Sequence, residues 1–292
     1  MAFPLHLLFP LGSSLGYVAA VLVLKRSAAF GIGLWRTTFV SNVSIALGFA
    51  ALWPLGGASL EATRLWQPAV GGALFFLGQV CTFLAIQGDV SVATPVLGVK
   101  IILVAFFSTW LLASPVPLQL WCAAALSTAA IALLNRGPSR SGYGLGRTVT
   151  MAAGAALSFA LSDVLVQKWT PAWGAGRFLP LMFGANCAYS LALVPFFRAP
   201  LWTITAQGWR WLLAGCALLA LQAASMAYVI GVFGDATAVN IVYSSRGLWS
   251  VLAVWLIGHW FANEEQHLGQ QVLRGRLLGA SLMLVAIVLV IW

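Results

Sequence analysis

Apolar residues run along this chain in blocks too continuous for a half-buried strand or a surface helix. Leu5 to Leu24, Pro68 to Ile86, Val92 to Leu112 and Leu277 to Trp292 are the clearest. A helix of about 20 apolar residues crosses the roughly 30 Å hydrocarbon core of a bilayer. Lipid offers no hydrogen bonds, so each block satisfies its backbone internally as a helix. The ten-residue alternation of a membrane barrel is absent. The pattern predicts ten spans, at roughly 5–24, 32–53, 68–87, 92–112, 117–135, 145–167, 178–197, 209–231, 236–258 and 275–292. Composition agrees: 7% of residues are charged, against about 25% in a soluble domain. The expected fold class is therefore all-α and polytopic. The first block has no basic start and is followed by Lys25-Arg26, which predicts a retained first helix, not a cleaved signal.

Between the fifth and sixth spans lies a polar stretch rich in Gly, Ser and Arg, a linker signature. It divides the chain into 1–135, a linker at 136–147, and 148–292. The two halves read as copies. Gly88-Asp89 precedes span four and Gly234-Asp235 precedes span nine, at an offset of 146 that also sets Lys100 on Arg246. Gln79 pairs with Gln222, Asn42 with Asn186 and Gly12 with Gly154, at offsets of 143, 144 and 142. Five spans per half is an odd number, so the second half enters the membrane from the opposite side. Two five-helix repeats in inverted orientation are the expectation, an architecture used by transporters.

Charge singles out a few positions. Lys100 and Arg246 fall near the middle of their apolar spans, where a cation costs about 2.5–3.5 kcal/mol on the insertion scale. One reading is a pseudo-symmetric pair that binds an anionic substrate group, with Arg246 gripping a carboxylate or phosphate through two donors and Lys100 acting as a point charge. The other is a structural pair, neutralised by a carboxylate or by carbonyls. Asp163 is the one carboxylate well inside a span. It is a candidate for proton coupling and equally a candidate counter-ion for either cation. Tyr243 and Trp249 stand three residues either side of Arg246, on its helix face. With Gln79, Gln222 and Asn240 they form the candidate substrate pocket. Tyr17 and Trp35 line a pocket or join an interfacial belt. Pro95 can open span four just ahead of Lys100, and Asp89 and Asp235 read as turn and N-cap residues.

Other chemistries find no support in the pattern. Cys81, Cys122, Cys187 and Cys216 lie in apolar segments without Cys-x-x-Cys spacing. The three histidines are scattered, so no metal site or cofactor is expected, and no acid/base cluster of an enzyme. The net charge of +9 comes from single residues at block ends, which argues for loop anchoring over nucleic-acid binding.

The pattern resembles the drug/metabolite transporter superfamily, in particular its ten-helix permeases with two EamA-like repeats. The resemblance rests on Gly88-Asp89-x-Ser91-x-Ala93-x-Pro95, on Gly234-Asp235-x-Thr237-Ala238 and on the closing Leu278-Gly279-Ala280-Ser281-Leu282-Met283. It implies alternating access around a cavity lined by spans 1, 3, 4, 6, 8 and 9. In the related plastid phosphate translocators, basic residues on the fourth and ninth helices hold the anionic group, as Lys100 and Arg246 would here. The Gly-Glu pair that many members carry after those helices is replaced by Ala113-Ser114-Pro115 and Gly258-His259-Trp260. The expected function is a secondary transporter or exporter of a small polar metabolite, anionic or zwitterionic, in a bacterial plasma (inner) membrane, with proton coupling as an option. A small-ion permease or channel is the alternative, and an intramembrane enzyme on a lipid-linked substrate the lesser one. The resemblance implies both termini inside. The positive-inside rule favours both outside, because Lys25, Arg26, Arg36, Arg136, Arg140, Arg147, Arg198, Arg210, Arg274 and Arg276 share one side, against Arg64, Lys168 and Arg177.

Overall fold

A computed structural model describes residues 4–86, 90–134, 145–257 and 270–291. The Gly88-Asp89 turn, most of the linker, and the loop with His259, Glu264, Glu265 and His267 lie outside the described residues. The described elements are all helical. They comprise α1 (Leu8–Ala28), α2 (Leu34–Ala50), α3 (Trp66–Ile86), α4 (Val90–Gly98), α5 (Lys100–Leu112), α6 (Leu118–Leu134), α7 (Leu145–Trp173), α8 (Ala175–Tyr189), α9 (Ala206–Phe233), α10 (Ala236–Tyr243), α11 (Arg246–Ile257) and α12 (Gln270–Ile291), with short 3-10 turns between some of them. Among the described residues, seven helical stretches are long and apolar enough to cross a membrane. Large apolar side chains point outward on many of them, Leu5, Leu47 and Trp110 among the most exposed. An integral membrane protein accounts for such a surface; water does not.

The predicted fourth and ninth spans are each two helices. The chain turns at Val99, between α4 and α5, and at Ser244-Ser245, between α10 and α11. Pro95 lies inside α4, and the Val99 amide bonds Val96 O at 3.1 Å, a tightened 3-10 contact. At the second break Ser244 Oγ donates to Ile241 O at 2.5 Å, and the Ser245 amide to Val242 O at 3.1 Å. Serine side chains that bond back to the preceding turn bend helices. Each break directly precedes a cation: Lys100 opens α5 and Arg246 opens α11.

Packing is strongest between α1 and α9, between α3 and α7, and between α6 and α12. Small residues allow the close approaches. A Cβ added to Gly72 on α3 would stand 2.5 Å from Met182 O and 2.9 Å from the Asn186 amide of α8, so only glycine fits there. An aromatic ladder fills the centre. Phe49 stacks on Phe183 at 3.9 Å, Phe75 meets Phe183 edge-on at 5.1 Å, and Phe75 meets Phe159 at 5.4 Å. Phe159 lies one turn before Asp163 on α7, so this core underlies the polar residues described next.

Candidate functional site

Position begins with the turn into α10. Gly234 ends α9 with φ of 73°, a conformation glycine adopts without a Cβ penalty. Asp235 Oδ1 then accepts from the Ala238 amide at 3.1 Å and caps α10. Gln167 of α7 clamps the same turn: its Nε2 donates to Gly234 O, and its Oε1 accepts from the Ala236 amide at 3.0 Å. The face of α10 that carries Asn240 and Tyr243 is thereby fixed against α7.

The two cations at the helix breaks stand in different surroundings. Lys100 Nζ pairs with Asp163 Oδ2 at 2.8 Å, with 20% and 17% of the two side chains accessible. The ammonium also lies 5.7 Å from the centre of the Phe159 ring. Asn240 Nδ2 donates to the same Asp163 Oδ2 at 2.8 Å and to Ala236 O at 2.9 Å. Asp163 is thus the counter-ion of Lys100, one of the two roles open to it from sequence.

Arg246 has no carboxylate within 4.0 Å among the described residues. Its guanidinium lies 4.9 Å from the Tyr17 ring centre and 4.7 Å from that of Tyr243. The two rings meet edge-on at 6.2 Å. The guanidinium also hydrogen-bonds Tyr243 and lies within electrostatic reach of Asp163; the aromatic faces attract the cation but do not neutralise it. Tyr243 Oη donates to Gln222 Oε1 at 2.9 Å, which fixes the ring. One turn along α11, Trp249 Nε1 is buried without a hydrogen-bond partner. Ser245 Oγ and Ser14 Oγ share a hydrogen bond at 2.9 Å, which ties the break between α10 and α11 to α1.

The remaining sequence candidates separate. Gln79 forms a reciprocal amide pair with Asn42, at 3.0 and 2.9 Å, which binds α3 to α2. The matched residues of the second half do not repeat it. Gln222 turns to Tyr243, and both polar atoms of the fully buried Asn186 lack partners. Trp35 stands at the start of α2 against Phe83 and Phe196, apart from this cluster. Among the described residues no group of three or more His, Cys, Asp or Glu side chains could hold a metal. Three contributors escaped sequence reading: Phe159, Gln167 and Ser14. Phe159 carries a signal in hindsight, four residues before Asp163 on one helix face.

Chemically, the cluster holds one close ion pair and a guanidinium that hydrogen-bonds Tyr243 and feels Asp163 only at longer range.

Comparison with known proteins places the fold. No family model matches the chain, and no curated protein does either. Solved structures do match. One, a crystal structure of a protein without a named function, superposes with a TM-score of 0.76 over 99% of this chain and 98% of its own, at 15% identity. That likeness carries the fold alone.

Proposed function

We propose that the chain is a secondary transporter or exporter of a small anionic or zwitterionic metabolite, built as ten spans in two inverted five-helix repeats and working by alternating access. The observation that carries this reading is Arg246, a guanidinium at a helix break, between two tyrosine rings, with no carboxylate within 4.0 Å among the described residues. A cation in a membrane interior without a close counter-ion is costly, and a carboxylate or phosphate would supply one through two parallel hydrogen bonds.

Several features support the inverted plan. Both helix breaks fall directly before a cation, at matched positions of the two halves. Packing is mirrored as well: α1 on α9 answers α7 on α3, and α2 on α9 answers α8 on α3. Discontinuous helices that meet at mid-membrane are a transporter device. In this reading Arg246 binds the substrate, Tyr243, Trp249 and Gln222 shape the pocket, and Lys100 with Asp163 and Asn240 forms its neutral wall. A proton on Asp163 would dissolve the ion pair with Lys100, which gives a route to coupling.

The test is transport into proteoliposomes of a panel of small carboxylates, phosphates, zwitterions and cations, with Arg246→Ala and Arg246→Lys compared to the parent. Anions or zwitterions are the expected cargo. Arg246→Ala should lose uptake by roughly a hundredfold, the scale for truncating one side of a desolvated charge contact, and Arg246→Lys should retain part of it. Parent-like uptake by a well-folded Arg246→Ala protein, or uptake of inorganic cations only, sinks the proposal.

A further inference from the structure

A second site stands away from this cluster, at the end of the bundle where α2 begins. A cleft of about 210 Å³ opens there, with Gly33, Trp35, Arg36, Phe196, Phe197 and Arg198 in its walls. Arg36 is 95% buried, with 5% of its surface accessible. Its Nη2 donates to Gly31 O at 2.6 Å, while Nη1 reaches Pro200 O and Thr203 Oγ1 only at 3.4 and 3.5 Å. Its Nε has no partner. Among the described residues no carboxylate lies within ion-pair distance of it. A buried cation held by two carbonyls and a distant hydroxyl, with no counter-charge among the described residues, is an incomplete electrostatic arrangement.

Two further features point the same way. Helix α2 starts at Leu34 behind Gly33, with no side-chain cap and no acidic residue in its first turn. Its leading amides therefore present donors and partial positive charge to the cleft. Arg198 adds a second guanidinium on the exposed rim. Phe39 packs edge-on to Phe197 at 5.7 Å, and Trp35 lies 5.9 Å from Phe196, so aromatic rings frame the opening.

We propose that this cleft binds a phosphate-bearing anion, with Arg36 at its floor, the α2 N-terminus behind and Arg198 closing over it. The phosphate belongs either to the headgroup of an anionic lipid or to a free phosphate. The inference stands on Arg36 and its cleft, independent of what Arg246 binds.

The purified full chain in neutral detergent separates these cases. Phosphatidylglycerol is titrated against phosphatidylcholine of the same acyl chains, and inorganic phosphate against chloride at matched ionic strength, with native mass spectrometry and thermal unfolding as readouts. Arg198→Gln should weaken binding roughly tenfold, as loss of one charge-assisted contact does. Arg210→Gln, which removes a charge from the same region but lines no part of the cleft, should bind as the parent does. Arg36→Gln should lose binding, and since Arg36 also holds Gly31, the exposed Arg198 keeps the test decisive if that variant fails to fold. Arg198-dependent binding of phosphatidylglycerol assigns a lipid; Arg198-dependent binding of inorganic phosphate without it assigns a free ion. If neither anion binds above its control, or Arg210→Gln weakens binding as much as Arg198→Gln, the site is overturned.

Discussion

Lys100 and Arg246 are alike in sequence and unlike in environment, and the difference can be measured. Lys100→Met keeps the aliphatic stem, deletes the ammonium and leaves Asp163 with the Asn240 amide as its donor. Asp163→Asn does the converse and leaves Lys100 beside a ring and an amide. Removing one partner of a buried ion pair costs about 3–5 kcal/mol, because the other charge stays desolvated. With about a fifth of each side chain accessible, the lower figure of about 3 kcal/mol applies. For a chain of this size that is about 6 °C in melting temperature, at about 2 °C per kcal/mol. The double variant buries no charge, so it should melt no lower than either single one, a coupling of about 3 kcal/mol. Thermal unfolding of all four proteins in one detergent closes the cycle. Additive losses, or single variants within about 1 °C of the parent, would refute the pairing. The same proteins should also keep anion-dependent stabilisation in Lys100→Met. Should that variant lose it as Arg246→Ala does, Lys100 is a substrate ligand and the neutral-wall reading fails.

Asn186 offers a sharper test of hydrogen-bond accounting. Both its polar atoms are buried and unpartnered, so Asn186→Leu should be neutral or stabilising by about 1 kcal/mol, whereas Asn42→Leu, which orphans Gln79, should cost about 1–3 kcal/mol. Equal losses in the two melting curves would mean that Asn186 has a partner after all. Asp235→Ala removes the α10 cap and should cost about 1 kcal/mol; hydrogen exchange should rise at Ala238 first, and unchanged protection there would dismiss the cap as a stabilising element.

Much of the helical framework could be read from apolar run length, because bilayer thickness imposes a length that no folding detail can change. The helix breaks were harder. Pro95 announces the one before Lys100, since proline removes a donor and crowds the preceding turn. The one before Arg246 has only Ser244-Ser245 as its signal, and paired serines in apolar helices are common enough to pass unnoticed. Tyr243 and Arg246, expected on one helix face from their three-residue spacing, do meet, but across the Ser244-Ser245 break and not along a continuous helix. Which cation Asp163 neutralises did not follow from spacing, because helix rotation and packing decide it, and these depend on α7 and α10 meeting through Gln167 and Asn240. Arg36 reads in sequence as one more loop-end charge. Its burial arises from the 3-10 segments around Pro200, which carry no periodic signal.

The cluster counts two cations against one carboxylate, an excess of one positive charge. In a carrier, that excess changes side whenever the empty protein turns over, and the membrane voltage acts on it as it does. A full traverse is worth about 2.3 kcal/mol per charge per 100 mV. A monovalent anion cancels the charge, so the loaded form turns over blind to the potential. Voltage then acts only on the vacant carrier and draws it towards the negative compartment. In an energised cell the vacant site would wait facing the cytoplasm, ready to load from within, so a respiring membrane would bias such a protein towards export.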